Sequence, residues 1–175
     1  MGTPATATTT SGDAAITWSV VKSDKKTLEV TYSIQNTGSE RLYVCDQILA
    51  RIKADQHRAT PGTTIRLNDQ DPTQARIIVT APSVGVAPNP TSFAAIEPGA
   101  TYTGTRRLGW PLQGYTPAGK EMPLPGSVTA AVFEIASFRG EPGSWKDIGN
   151  EAGGTFRVPV GFELAMLKAD PLPLP

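Results

Sequence analysis

From Ala15 onward the chain alternates between apolar and polar positions. Ile16, Trp18 and Val20 are spaced by Thr17 and Ser19, and Leu28, Val30, Tyr32 and Ile34 by Glu29, Thr31 and Ser33. Side chains with a period of two lie on opposite faces of a strand, so each run predicts a strand with one buried and one wet face. Asp24-Lys25-Lys26 and Asn36-Thr37-Gly38-Ser39-Glu40 supply turns on either side of the second run, and Leu42-Tyr43-Val44-Cys45 opens another strand that can run to Ile52. Shorter candidates follow at Thr64–Leu67 and Arg76–Thr80, and Phe93–Ile96 leads into the next turn. After the turn Glu97-Pro98-Gly99 comes a strand from Thr101 to Leu108. Ser127–Phe138 is apolar on both faces, as a central strand would be. Phe156, Val158, Val160, Phe162 and Leu164 alternate again, with Pro159 marking an edge or bulge.

The segments between these runs read as loops. Residues 82–92 contain Pro82, Pro88 and Pro90, and residues 109–126 hold four Pro and four Gly. Residues 1–13 are low in complexity and read as a flexible N-terminal tail, and Pro171-Leu172-Pro173-Leu174-Pro175 as a polyproline-like C-terminal tail over 169–175. The expected architecture is all-β: one antiparallel β-sandwich of about eight or nine strands over residues 14–168, with flexible termini.

Composition agrees with the pattern. The 175 residues include 21 Thr, 17 Gly and 16 Pro, which suits strands and turns better than helices. Lys plus Arg number 16 and Asp plus Glu 16, so the chain lacks the basic excess of a nucleic-acid binder. No run of about 18 apolar residues predicts a membrane-spanning helix. The Thr/Ala/Pro-rich start resembles the spacer that follows a removed leader, which favours a periplasmic or extracellular setting over a cytoplasmic one. The lack of an Asn-x-Ser/Thr acceptor favours a bacterial or viral source.

Two stretches carry a resemblance. Leu28-Glu29-Val30-Thr31-Tyr32-Ser33-Ile34-Gln35-Asn36-Thr37-Gly38-Ser39-Glu40 resembles the B-strand and turn of bacterial immunoglobulin-like domains, and Ile96-Glu97-Pro98-Gly99-Ala100-Thr101 resembles the entry to a later strand of the same domains. The layout is similar to the intracellular proteinase inhibitor and to adhesion-type modules. The resemblance implies an immunoglobulin-like sandwich and a protein-binding role. Cys45 has no partner cysteine, so the Cys–Trp–Cys arrangement of antibody-type domains is missing.

Little in the sequence points to catalysis. His57 is the one histidine and sits in the polar stretch Lys53–Arg58, where a side chain is ordinarily just solvated. Cys45 and Asp46 would point to opposite faces of a strand, which makes Cys45 a buried structural thiol rather than a nucleophile. Asn68-Asp69-Gln70-Asp71 could offer oxygens to calcium but reads more simply as a turn bonding its own backbone. Arg106 and Arg107 face opposite ways and make no single basic patch. Trp110, Tyr115 and Trp145 lie in loop segments and are the candidate ligand-binding residues, as a stacking platform for a sugar or an anchor for a protein; alternatively they fold back to plug the sandwich. The expected function is a non-catalytic interaction or assembly module with no cofactor and no metal, its partner another protein or a second copy. The alternatives are a proteinase inhibitor presenting residues 109–126 or 82–92, and a carbohydrate-binding module.

Overall fold

Alternating side chains become strands with one face in a common core. The computed structural model describes residues 4–79, 90–115 and 120–175. Its strands are β1 (Ala5–Ser11), β2 (Ala14–Lys22), β3 (Thr27–Asn36), β4 (Leu42–Lys53), β5 (Gln56–Thr60), β6 (Thr63–Leu67), β7 (Gln74–Val79), β8 (Thr91–Ile96), β9 (Thr101–Gly109), β10 (Gln113–Tyr115), β11 (Glu121–Pro123), β12 (Ala130–Arg139), β13 (Ser144–Gly149), β14 (Thr155–Val160) and β15 (Ala165–Pro173). No helix among the described residues is long and apolar enough to cross a membrane.

Two sheets face each other. One is antiparallel, in the order β1-β2-β3-β9. The other runs β5-β4-β12-β7-β6, with β15 also on β12 and β8 also on β4. Ile16, Trp18, Val20, Leu28, Val30, Tyr32 and Ile34 of the first sheet share one core with Leu42, Val44, Ile77, Phe133 and Ile135 of the second. Phe133 is the hub, with its ring centroid 5.8 Å from Trp18 and 4.9 Å from Tyr32. The fold is therefore a β-sandwich, and burial of these side chains is its main source of stability.

The outer face of the larger sheet is partly covered. The β13–β14 ribbon lies over Tyr43, which packs at 4.5 Å on Phe138 and 5.7 Å from Trp145. Phe138 is also 4.5 Å from Phe162 and 5.0 Å from Phe93. Farther along β12, Glu134 is only 2% exposed and takes both arms of Arg76, at 2.8 and 2.7 Å. A carboxylate so buried demands such a bidentate partner.

Several expectations change. Among the described residues there are fifteen strands rather than eight or nine, because short ribbons form inside segments that composition marks as loops. The sandwich is not wholly antiparallel, since β12 and β7 run parallel from Ala130↔Gln74 to Ile135↔Val79. Residues 5–11 form a strand paired along its length with β2, so this part is no flexible tail: Ala5 and Ala7 pack on the core, and their small size hides the alternation. The C-terminal segment is likewise a strand as far as Pro173, with Leu172 buried. Its prolines are tolerated because they sit on an edge. Within 109–126, β10 and β11 pair as a ribbon, and Trp145 lies on β13 rather than in a loop. The loop of residues 82–92 lies outside the described residues up to 89.

Candidate functional site

A sandwich has two open sides, and here they differ. On one, β1 meets β15: Lys168 N–H donates to Ser11 Oγ at 3.3 Å, Asp170 N–H donates to Thr9 Oγ1 at 2.9 Å, and Trp18 Nε1–H donates to the Asp170 carbonyl at 2.9 Å. Side-chain hydroxyls thus satisfy backbone groups that an edge would otherwise present.

The other side is bordered by β9. Trp110 N–H donates to the Lys26 carbonyl and Asn36 N–H to the Ala100 carbonyl, which fixes the phase of the β3–β9 ladder. In an antiparallel pair, residues alternate between exchanging backbone bonds and turning those groups away. The even-numbered residues of β9 therefore bond β3. Thr101, Thr103, Thr105, Arg107 and Gly109 aim N–H and C=O outward, and among the described residues no strand pairs with that edge.

Beside the Thr105–Gly109 half of this edge lies a groove of about 460 Å³, lined by Thr63, Ile65, Arg106, Leu108, Gln113 and Glu121 among others. Arg106 points inward. It donates to the Asp46 carbonyl at 2.6 Å and to the Thr105 carbonyl at 3.0 Å, and lies 5.9 Å over the Tyr32 ring. Arg107 faces the opposite way and pairs with Glu29 at 3.2 Å, so the two arginines do diverge.

Asp46 reaches this place through a bulge in the β4–β8 pairing between Cys45 and Gln47. Tyr102 Oη donates to Asp46 Oδ2 at 3.4 Å. Burial raises the Asp46 carboxyl above its ordinary value, and burial then the Asp46 charge raise Tyr102. Burial also raises Tyr32, whose Oη has no hydrogen-bond partner among the described residues. Tyr32 fits because its ring lies over Gly104, where any side chain would collide with it.

The candidate residues from the sequence do not come together. Trp110 follows β9 after a strand end, packs against the core and carries Lys22 Nζ 5.2 Å over its ring; its bond to Pro111 is cis. Trp145 lies on β13, under Arg157 at 5.0 Å. These two rings therefore sit on different elements, with different partners. Tyr115 ends β10, and its side chain lies outside the described residues.

Cys45 is fully buried, and burial pushes its thiol up to about 12, which suits a structural residue. His57 is on β5, with Nδ1 3.2 Å from the Gly149 carbonyl. In the Asn68–Asp71 turn, Asn68 Oδ1 accepts from Gln70 N–H, and Asp71 accepts from Thr73 and Gln74. Those oxygens serve the turn.

The free edge was beyond the reach of sequence reasoning. The run Thr101–Leu108 predicts a strand, but only the sheet order reveals that nothing described lies on its far side. No protein-family model, curated protein or solved structure matches this chain.

Proposed function

We propose that the chain is a non-catalytic interaction or assembly module of the immunoglobulin-like type, which engages a protein partner along the outer edge of β9. The observation that carries this reading is the contrast between the two sides of the sandwich. On one, the Ser11 and Thr9 hydroxyls take the Lys168 and Asp170 N–H groups of β15, while the other aims the backbone groups of Thr103, Thr105 and Arg107 outward beside a groove. Backbone groups presented in strand geometry recruit another strand, which gives affinity, while flanking side chains give selectivity. Arg106 and Tyr102, held on Asp46, keep the edge straight and its inner face filled. A bacterial source and a surface, periplasmic or multi-subunit setting accord with this reading.

The test places a photo-crosslinking side chain at Thr103 or at Arg107, with Lys53 on the distant end of β4 as control, and exposes the full chain to an extract of its source cell. The reading predicts protein crosslinks from 103 and 107 that are absent from 53. Crosslinks from 53 alone, or none from β9, overturn it.

A further inference from the structure

The partner surface can be specified, given the reading that β9 is the docking edge. We infer that β9 pairs antiparallel with β9 of a second copy of this chain, about a twofold axis through Thr105, joining two four-stranded sheets into one.

The strand is its own complement in that register. Thr101 meets Gly109, Thr103 meets Arg107 and Thr105 meets itself, so the outward-facing residues of one copy exchange N–H and C=O groups with those of the other. On the inner face Tyr102 meets Leu108 and Gly104 meets Arg106. No like charges lie opposite one another, and each guanidinium of Arg106 faces a residue without a side chain. Moving the axis to Arg106 would set Arg106 against Arg106, whereas moving it to Gly104 would leave Gly109 without a partner inside the strand. Thr105 is thus the centre that uses the whole strand without setting like charges directly opposite.

The usual defences of an edge are weak here. Proline and bulges disrupt edge pairing, but β9 contains no Pro and pairs with β3 without a register break from Thr101 to Gly109. An inward-pointing charge is another defence, but Arg106 is tied to the Asp46 and Thr105 carbonyls. The Thr105 carbonyl keeps a second lone pair for an incoming N–H. Beside Thr105–Gly109, among the described residues, an arriving strand meets the groove rather than packed side chains. Closed twofold pairing is also the commonest way for identical chains to associate.

Sedimentation equilibrium of the full chain over a wide concentration range tests this, with three variants. Thr103 is exposed on the outer face of its sheet, so replacing it leaves the core alone. Thr103→Glu sets a carboxylate against Arg107 of the other copy and should tighten the dimer. Thr103→Arg sets two cations together and should weaken it. Each change should be about two- to tenfold in the dimer dissociation constant, because the pair occurs twice. Thr105→Pro removes an N–H that points away from β3 and should weaken pairing at least about tenfold. Unfolding midpoints confirm that each variant is folded, and the opposite signs at position 103 do not depend on how well Thr105→Pro folds.

A chain that stays monomeric, or a dimer indifferent to both charges at 103, overturns self-pairing. If that monomer still crosslinks from 103 and 107 to a different protein, the edge reading stands and only the second copy is wrong. If it crosslinks from neither, both fall.

Discussion

Replacing Gly104 by Ala tests the packing that supports β9. A Cβ at this position would collide with the Tyr32 hydroxyl end and come within 2.8 Å of its Cε2. Tyr32 cannot simply swing away, since it is 3% exposed and its ring lies 4.9 Å from Phe133 and 6.4 Å from Tyr102. Overpacking of this kind costs about 1–3 kcal/mol. Against it, Ala restricts the unfolded chain more than Gly, which returns about 0.4–1 kcal/mol where the backbone is compatible. The clash wins, and Gly104→Ala should destabilise by about 0.5–2 kcal/mol, measured by urea unfolding with an unchanged slope. In a Tyr32→Leu background the clash is gone. The same substitution should then be neutral or stabilising, a coupling of about 1–3 kcal/mol. Equal costs in both backgrounds would refute the placement of the Tyr32 ring over Gly104.

Other sites yield sharper signs than magnitudes. Arg76→Met strands the buried Glu134 carboxylate and should cost about 3 kcal/mol, at the low end for a broken buried pair because Lys168 stands opposite Glu134 across β12–β15; adding Glu134→Leu should recover most of the loss in urea unfolding. Asp46 has a folded-state value raised above 3.8, so its contribution to stability is full below that pH and is lost as pH rises through the raised value. Asp46→Asn should therefore gain stability over the wild type as pH rises from about 4 to 7, and a pH-independent difference in thermal unfolding would contradict this. Phe138→Ala removes the ring shared by Tyr43, Phe93 and Phe162 and should cost about 3–5 kcal/mol; it should also speed proteolysis at Lys146 and Arg157 on the overlying ribbon, followed by gel electrophoresis.

Much of the sandwich was legible from residues alone. The alternation through Leu28–Ile34 gives β3 with its inner face correctly assigned, and Trp18 falls in the core as its strand position requires. The edges were harder to read. In β1 the inward residues are Ala5 and Ala7, too small to register as an apolar face, and Thr9 looks inward only to bond Asp170 N–H. In β15 the prolines mask a strand whose Leu167, Ala169 and Leu172 are buried. Edge strands need fewer backbone bonds and fewer large apolar side chains, so their sequences carry a weaker signal. The polar site was hidden for a related reason. Asp46 joins Arg106 and Tyr102 only because a bulge at Cys45–Gln47 shifts the phase of β4, and β9 lies on the other sheet. Nothing in the sequence near Asp46 announces that meeting.

The outer edge of β9 is where the chain is proposed to bind, and hydrogen exchange resolved to single amides examines that edge most directly. At low concentration the amides of Thr103, Thr105 and Arg107 should exchange rapidly, while those of Gly104 and Arg106, bonded to β3, stay protected. On association the three outward amides should become protected together. Association that leaves all three as fast as before would contradict the assignment of β9 as the binding edge.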